Sequence, residues 1–393
     1  MSFLSLLFGI LGSLLAALTI ISCVRIRWVR RLPTFNQLSA DSSHLRSKAE
    51  GQVELPKVSV VLASRDEGQR LENTLRRLLS QRGINLELIV VNDRSQDGTK
   101  DVLERLRAQD HRVHPIHVTQ LPAGWLGKCH ACHLGAGRAT GDWILFTDAD
   151  CWLAEDVIAR SVLAARAEKV EHVVLAPGME TEGFFTRPLH SSFALVFSHY
   201  FARVNRDDPI TYIGAGAFNL VRRELYQRCG GYDRLRLTVV DDVKLGQLIR
   251  RAGGRTRAFL GSADAVCHWG TSIRGLIHNL EKNHFALTDY RVSHVIGAVL
   301  GTGLIYTGVL AGPFSGTWAG WAALIAFQSL GIPAGILARR LGWSVWNGVL
   351  APWTFPILTA SLLNSTWVTL RRGGVTWRDT FYPLEQLREN NVR

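Results

Sequence analysis

The sequence predicts an α/β domain with a mostly parallel sheet, bracketed by membrane-spanning helices. Short apolar runs such as Val58–Leu62, Leu86–Val91 and Trp143–Phe146 alternate with helical stretches of ten or so residues. Strands alternating with helices of that length form βαβ units. Acidic residues stand just beyond three of these runs, as Asp66-Glu67, Asp93 and Asp148-Ala149-Asp150. Long uncharged stretches occupy both ends of the chain, and each is long enough to cross a bilayer.

In chain order, residues 1–24 read as a transmembrane anchor. Arg25, Arg27, Arg30 and Arg31 follow it at once, which places the next segment on the cytoplasmic side by the positive-inside rule. No basic stretch precedes the apolar run, so a cleaved signal peptide is not expected. Residues 25–56 form a basic flank and linker. The α/β domain is assigned to 57–270, with strands at Val58–Leu62, Leu86–Val91, Val113–Val118 and Trp143–Phe146. Helices are expected at Leu71–Ser80, Thr99–Ala108, Lys128–Ala139 and Asp241–Arg251. The aromatic segment Phe184–Val204 reads as an amphipathic helix, lying in a membrane interface or packed as an ordinary helix. Residues 271–291 form a second amphipathic segment. Residues 292–370 hold two to three further spans, the last carrying Pro352 and Pro356. Arg339 and Arg340 fall inside after two crossings, whereas a third crossing would put Arg371 and Arg372 outside. The proline-bearing run is therefore expected not to cross fully, and 371–393 is expected as a cytoplasmic tail. The chain reads as a multi-pass protein of the cell (inner) membrane.

The net charge of +12 over 393 residues suits an anionic lipid surface or a phosphate-rich substrate. No nucleic-acid-binding motif accompanies it, so no nucleic-acid partner is expected. The six cysteines show no disulfide-like spacing, which fits a reducing compartment. Cys129-His130-Ala131-Cys132-His133 has the form of a c-type haem attachment site. The competing reading is two small apolar residues on a helix, and the topology favours it, because haem attachment requires the oxidising side of a membrane.

Two carboxylates at alternate positions of a strand project the same way. Asp148 and Asp150 therefore meet at the carboxyl edge of the Trp143–Phe146 strand, where open α/β sheets bind ligands. Paired oxygen donors suit a hard divalent ion, Mg²⁺ or Mn²⁺, held jointly with phosphates; the alternative is a strand-end turn with Asp capping a helix. Gly214 and Gly216, in Ile213-Gly214-Ala215-Gly216-Ala217, let a ligand approach the backbone, or simply fit a tight connection. Asp241 and Asp242 open a helix, where acids also serve as dipole partners.

Taken together in order over about Val58–Arg291, these motifs resemble the family-2 inverting glycosyltransferases of the GT-A fold. Leu121–Ala131, LPAGWLGKCHA, is similar to membrane-bound members that glycosylate lipids, such as ceramide glucosyltransferases and hopanoid- or carotenoid-associated transferases. The resemblance implies a nucleotide-sugar donor, a UDP-sugar in this reading, and a membrane lipid acceptor that receives one sugar on a hydroxyl. It places Ala63 and Glu67 in the nucleoside pocket, Asp93 on the uracil ring and Lys128 near base and phosphates. Asp148 and Asp150 match the metal-binding pair, with Asp150 the direct ligand. Asp242 matches the catalytic base and Asp241 its acidic neighbour. Processive members carry Q-x-x-R-W; the corresponding stretch here is Asn279-Leu280-Glu281-Lys282-Asn283. Lys282 stands where the Arg contacts the diphosphate, or is a solvated charge, and no Trp follows. That departure favours single-sugar transfer over a polysaccharide synthase. A non-catalytic membrane scaffold is the other alternative. His268 is either within reach of the metal or structural.

Overall fold

The computed structural model describes residues 2–41, 56–181, 184–268 and 271–392. The linker expected up to residue 56 falls largely outside the described residues. Its first part forms a short helix, α2 (Phe35–Asp41), after α1 (Phe3–Ile26) and the two-residue strand β1 (Arg30–Arg31).

The α/β core then runs β2 (Lys57–Ser64), α3 (Gly68–Leu79), β3 (Asn85–Asp93), α4 (Thr99–Gln109), β4 (Val113–Val118), α5 (Gly127–Arg138), β5 (Trp143–Asp148) and β6 (Cys151–Leu153). It continues through α6 (Val157–Ala167), β7 (His172–Met179), α7 (Thr186–Val204), β8 (Asn219–Arg222), α8 (Arg223–Arg228), α9 (Asp241–Arg251) and β9 (Thr256–Cys267). The strands form a mixed sheet in the order β1-β9-β7-β8-β5-β2-β3-β4, with β6 pairing antiparallel to β9. Strands β5, β2, β3 and β4 are mutually parallel, whereas β8 runs antiparallel to both β5 and β7.

This order places the site. From β2 the chain moves outward to β3 and β4, then returns to β5 on the other side of β2. The crevice at such a switch point lies beyond the carboxyl ends of the strands. Ala63 pairs there with Val91 on one side and Asp148 on the other. The strands are apolar throughout because helices cover both faces of the sheet. Val58, Val60, Leu62, Leu88 and Val90 pack into one layer with α3 and α4, and Val61, Ile89, Ile144 and Phe146 pack into the other with α5 and α9.

The C-terminal region comprises α10 (Ile273–Leu280), α11 (His284–Leu287), α12 (Val292–Ala311), α13 (Trp318–Ser329), α14 (Gly331–Arg340), α15 (Trp346–Leu350) and α16 (Phe355–Arg372). Three helical segments among the described residues are long and apolar enough to cross a membrane: Phe3–Ile26, Val292–Ser315 and Trp318–Arg340. The proline-bearing run is not one of them; a 3₁₀ turn at Ala351–Thr354 separates α15 from α16. Proline removes a backbone donor and restricts the residue before it, which explains the break. Against α13, α1 packs closely: a methyl group on Gly12 would touch the Ala323 backbone, and Thr19 and Ser329 hydroxyls lie 2.9 Å apart. Small residues at a helix crossing allow such approach in lipid. The Arg340 guanidinium donates to the Ile26 carbonyl at 2.6 Å and also to that of Val29, tying the helices to β1.

The segment expected as a tail is folded. It forms a hairpin, β10 (Gly374–Trp377) and β11 (Thr380–Pro383), followed by α17 (Leu384–Glu389). Val375, Tyr382, Leu384 and Leu387 bury themselves in the α5–α9 layer of the core.

Candidate active site

Eight of the residues singled out in the sequence line one cavity of about 360 Å³: Lys128, Asp148, Asp150, Gly214, Gly216, Asp241, Asp242 and Lys282. Asp148 closes β5, Asp241 and Asp242 open α9, and Lys128 is the second residue of α5. Helix α5 and strand β5 are consecutive in the chain, whereas α9 comes much later, and their ends converge because the sheet places them on one edge.

Lys128 is the electrostatic hub. Its Nζ lies 2.8 Å from Asp148 Oδ1 and 3.6 Å from Asp241 Oδ1. Burial opposes the ammonium, but Asp148, Asp241 and Asp242 outweigh it and hold its pKa well above the ordinary lysine value. A lysine in a first helical turn is poorly placed against the helix dipole, so these carboxylates are what keep it there. Asp241 is buried, and its Oδ2 accepts a 2.8 Å hydrogen bond from the Tyr232 hydroxyl. Asp242 Oδ2 accepts from the Gly216 N–H at 2.7 Å and its Oδ1 from the Val243 N–H at 2.8 Å. Burial, then the charge of Asp241, pushes the Asp242 carboxyl up to about 6. Asp150 is likewise pushed up to about 6, by burial and then by Asp148 and Glu67.

The glycines have a steric role. A Cβ on Gly216 would run into the Asp148 carboxylate, and one on Gly214 into the Asp242 backbone carbonyl. Close approach of two acidic elements thus requires glycine at both positions.

Ala63, Glu67 and Asp93 do not line this cavity. They form a neighbouring cluster at the ends of β2 and β3. Asp93 is buried and held by Arg94, Nε to Oδ1 at 2.7 Å and Nη2 to Oδ2 at 3.0 Å. A Cβ on Gly127 would strike the Asp93 carboxylate, so the start of α5 and Asp93 fit together only with glycine there. Glu67 Oε1 accepts from Arg378 Nη2 at 3.1 Å.

Arg378 belongs to a feature that sequence reasoning missed. It stands in the left-handed region (φ 55°) at the tip of the β10–β11 hairpin. Its neighbour Asp379 meets Arg65 at 2.7 Å, so the hairpin clasps the cluster at the ends of β2 and β3. Trp377 lines the cavity, with Lys282 Nζ 4.0 Å from its ring centroid. Such a contact is a cation–π interaction. Burial, then Lys128, lowers the Lys282 pKa to about 8. The turn Arg378-Asp379 lacks the Asn-Gly or Asp-Gly signal of a tight hairpin, and nothing else in the local sequence announces it.

The expectation of reduced, unpaired cysteines is corrected at one place: Cys151 and Cys267 are directly opposite on β6 and β9 and are bonded to each other. Their separation of 116 residues explains why spacing concealed the pair. Asp150 lies beside these sulfurs, but sulfurs joined in a disulfide are poor ligands, so the hard oxygen donors at this edge are Asp148 and Asp150. His268 Nδ1 is 3.2 Å from the Asp150 carbonyl and Nε2 is 3.3 Å from Glu180 Oε2, which accounts for both ring nitrogens structurally. The Cys129 and Cys132 thiols are buried in the core beneath α5, Cys129 facing the Thr238 carbonyl at 3.4 Å, and cannot carry a haem there.

Residues 59–230 match the glycosyl transferase family 2 domain. The chain is 30% identical over 122 residues to the 4,4'-diaponeurosporenoate glycosyltransferase of Staphylococcus haemolyticus, a stretch covering 31% of each chain. It is 28% identical over 129 residues, 33% of this chain and 40% of the other, to the GalNAc(5)-diNAcBac-PP-undecaprenol beta-1,3-glucosyltransferase of Campylobacter jejuni. The matched stretches thus span about a third of the length of these curated relatives. Among solved structures, a mannosyltransferase from Pyrobaculum calidifontis in complex with GDP-Man and Mn²⁺ superposes over 93% of this chain and 98% of its own, with a TM-score of 0.55 at 19% identity. The fold is GT-A-like, with apolar helices at the N-terminus and in the C-terminal region.

Proposed function

We propose that this protein is an inverting glycosyltransferase that moves one sugar from a nucleotide-diphosphate sugar, a UDP-sugar in our reading, to a lipid hydroxyl at a membrane surface. The observation that carries the proposal is the shape of the cavity. One end holds Lys128, Asp148, Asp150, Asp241 and Asp242, and the other is lined by Phe193, Phe197, Phe201, Leu276 and Leu280. A charged donor and an apolar acceptor thus have adjoining places. The P. calidifontis neighbour holds GDP-Man, and the curated relatives are named for a carotenoid acid and an undecaprenol-linked saccharide.

In this reading, Ala63, Glu67 and Asp93 receive the nucleoside, and Lys128 and Lys282 face the diphosphate. Gly214 and Gly216 keep the backbone low beside the sugar. The acceptor hydroxyl oxygen attacks the anomeric carbon as the bond to the diphosphate oxygen breaks, and Asp242 takes the hydroxyl proton. A carboxylate held near 6 is a usable base at neutral pH. Asp241, fixed by Tyr232, keeps the Asp242 carboxyl raised. Asp148 and Asp150 would hold a divalent ion, Mg²⁺ or Mn²⁺; burial and then the charge of Asp148 raise the Asp150 carboxyl, and a cation there would offset both. A divalent ion held by Asp148 and Asp150 would supply positive charge for the departing diphosphate. A multi-pass position in the cell membrane, with the α/β domain on the cytoplasmic side, is supported by the three apolar helices and the arginines that follow the first.

The test is incubation of the purified protein with membrane lipid extract and a panel of radiolabelled nucleotide sugars, followed by lipid chromatography. The proposal expects one labelled lipid carrying a single sugar. A polymeric product, or label only in free sugar, would overturn it.

A further inference from the structure

Two polar side chains stand among the aromatic residues that line the cavity, Ser198, whose hydroxyl donates to the Leu195 carbonyl at 2.6 Å, and His190. Helix α7 presents His190, Phe193, Ala194, Phe197, Ser198 and Phe201 to the cavity. Their spacing is that of a single helical face. His190 is 5% exposed, and neither of its ring nitrogens has a hydrogen-bond partner among the described residues. The nearest aromatic ring, that of Trp343, is 6.4 Å away centre to centre.

His130 and His284 each also leave Nδ1 without a partner among the described residues, but neither lines this cavity, and both nitrogens are unpartnered in His190; two further histidines are fully paired. His199, on the same helix, meets the Ser22 hydroxyl at 3.2 Å and Arg25 at 3.0 Å. His172 meets the Thr256 hydroxyl at 3.0 Å and Asn219. A buried polar group without a partner destabilises the fold, and a leucine or phenylalanine would fill the same place at no such cost. The arrangement makes sense if a ligand supplies the missing partner. Burial lowers the His190 pKa to about 4, so the ring is neutral at physiological pH. A neutral imidazole offers one donor and one acceptor, which suits a hydroxyl or amide. The lysines that would suit a lipid phosphate, Lys128 and Lys282, belong to the carboxylate end of the cavity.

We infer that the acceptor is an uncharged amphiphile bearing, besides the hydroxyl that receives the sugar, a second hydrogen-bonding group that His190 grips within the apolar part of the cavity. This rests on the reading that the protein glycosylates a lipid. It makes His190 an acceptor-selecting residue and sets uncharged lipids apart from lipid phosphates.

The experiment compares three acceptor probes of equal chain length in mixed micelles with the full chain: an N-acylethanolamine, the matching fatty alcohol, and a polyprenyl phosphate. The readout is the ratio of kcat/KM between the first two, for wild type, His190→Phe and His190→Gln. Wild type is expected to favour the amide-bearing alcohol by about tenfold, the value of one hydrogen bond in a buried site. In His190→Phe the ratio falls to about one, and in His190→Gln, which keeps a donor and an acceptor, most of the preference survives. If His190→Phe fails to fold, the wild-type ratio and the Gln variant still decide. A wild-type ratio near one, an undiminished ratio in the Phe variant, or preference for the polyprenyl phosphate would overturn the inference. If wild type transfers sugar to no lipid but does so to a saccharide or to water, the underlying reading falls first and this inference with it.

Discussion

Removing the charge of Lys128 tests the electrostatics of the site independently of any substrate. The ammonium sits 2.8 Å from Asp148 and 3.6 Å from Asp241. At an effective dielectric of about 20, these separations correspond to roughly 6 and 5 kcal/mol of gross attraction. Burial of the lysine offsets part of this, and Asp148, with 37% of its side chain exposed, is partly screened by solvent. A net loss of about 2–4 kcal/mol is therefore expected for Lys128→Met, which keeps the length of the side chain and removes its charge. At roughly 2–4 °C per kcal/mol for a chain of this order of size, Tm should fall by about 4–16 °C. The pH dependence carries the diagnostic. Lys128 lowers the pKa values of the Asp150 and Asp242 carboxyls, and losing its ammonium lets both rise. Asp150 and Asp242 stand near 6 even with Lys128 present. Such groups hold their protons more tightly when folded, so the penalty is absent near pH 4 and grows as pH rises through 6. Fluorescence-detected melting of wild type and variant in detergent, at pH 5 and pH 7.5, measures it. The difference in Tm should be larger at pH 7.5, and added Mn²⁺ should restore part of it. An equal difference at both pH values, or none at pH 7.5, would refute the view that Lys128 balances these acids.

Other consequences can be checked directly. Because Asp242 is held near 6 and must be ionised to accept a proton, kcat should fall on the acid side with a midpoint near pH 6, read from a pH–rate profile. Gly216→Ala drives a methyl group against the end of the Asp148 side chain, whereas Gly214→Ala drives one against the Asp242 backbone. The first should cost more activity than stability; the second should lower stability by about 1–3 kcal/mol, measured by melting. Chelation with EDTA should abolish transfer, Mg²⁺ or Mn²⁺ should restore it, and the Tm rise caused by Mn²⁺ should vanish in Asp148→Asn/Asp150→Asn.

The parts of this molecule that were legible in the sequence are those set by local chemistry. Valine- and isoleucine-rich runs gave β2, β3, β4 and β5 within a few residues, and Asp241–Arg251 is a helix as read. Acids ending those strands pointed to the sheet edge because period-two alternation and the carboxyl-end rule are both local. What remained hidden depends on contacts across long separations. The Cys151–Cys267 bond joins residues 116 apart. Strand β8 inserts antiparallel between β5 and β7, a pairing its four residues cannot specify alone. Trp377 and Arg378 reach the site only because Val375, Tyr382 and Leu387 anchor the hairpin in the core. The sequence supplies no Trp after Lys282, and yet a Trp ring lies beside that lysine, brought from a position 95 residues further on. His190 looked like any histidine in an aromatic helix until its surroundings showed no hydrogen-bond partner among the described residues.

The central claim is that Asp242 removes the acceptor proton in a sugar transfer. Asp242→Asn keeps the volume of the side chain and removes the base, while the nucleoside-side residues and Lys128 stay in place. Turnover of a radiolabelled nucleotide sugar onto lipid, measured beside nucleotide affinity by calorimetry, should drop by about 10²–10⁴-fold with affinity changed little. Transfer by Asp242→Asn at the wild-type rate would contradict the account.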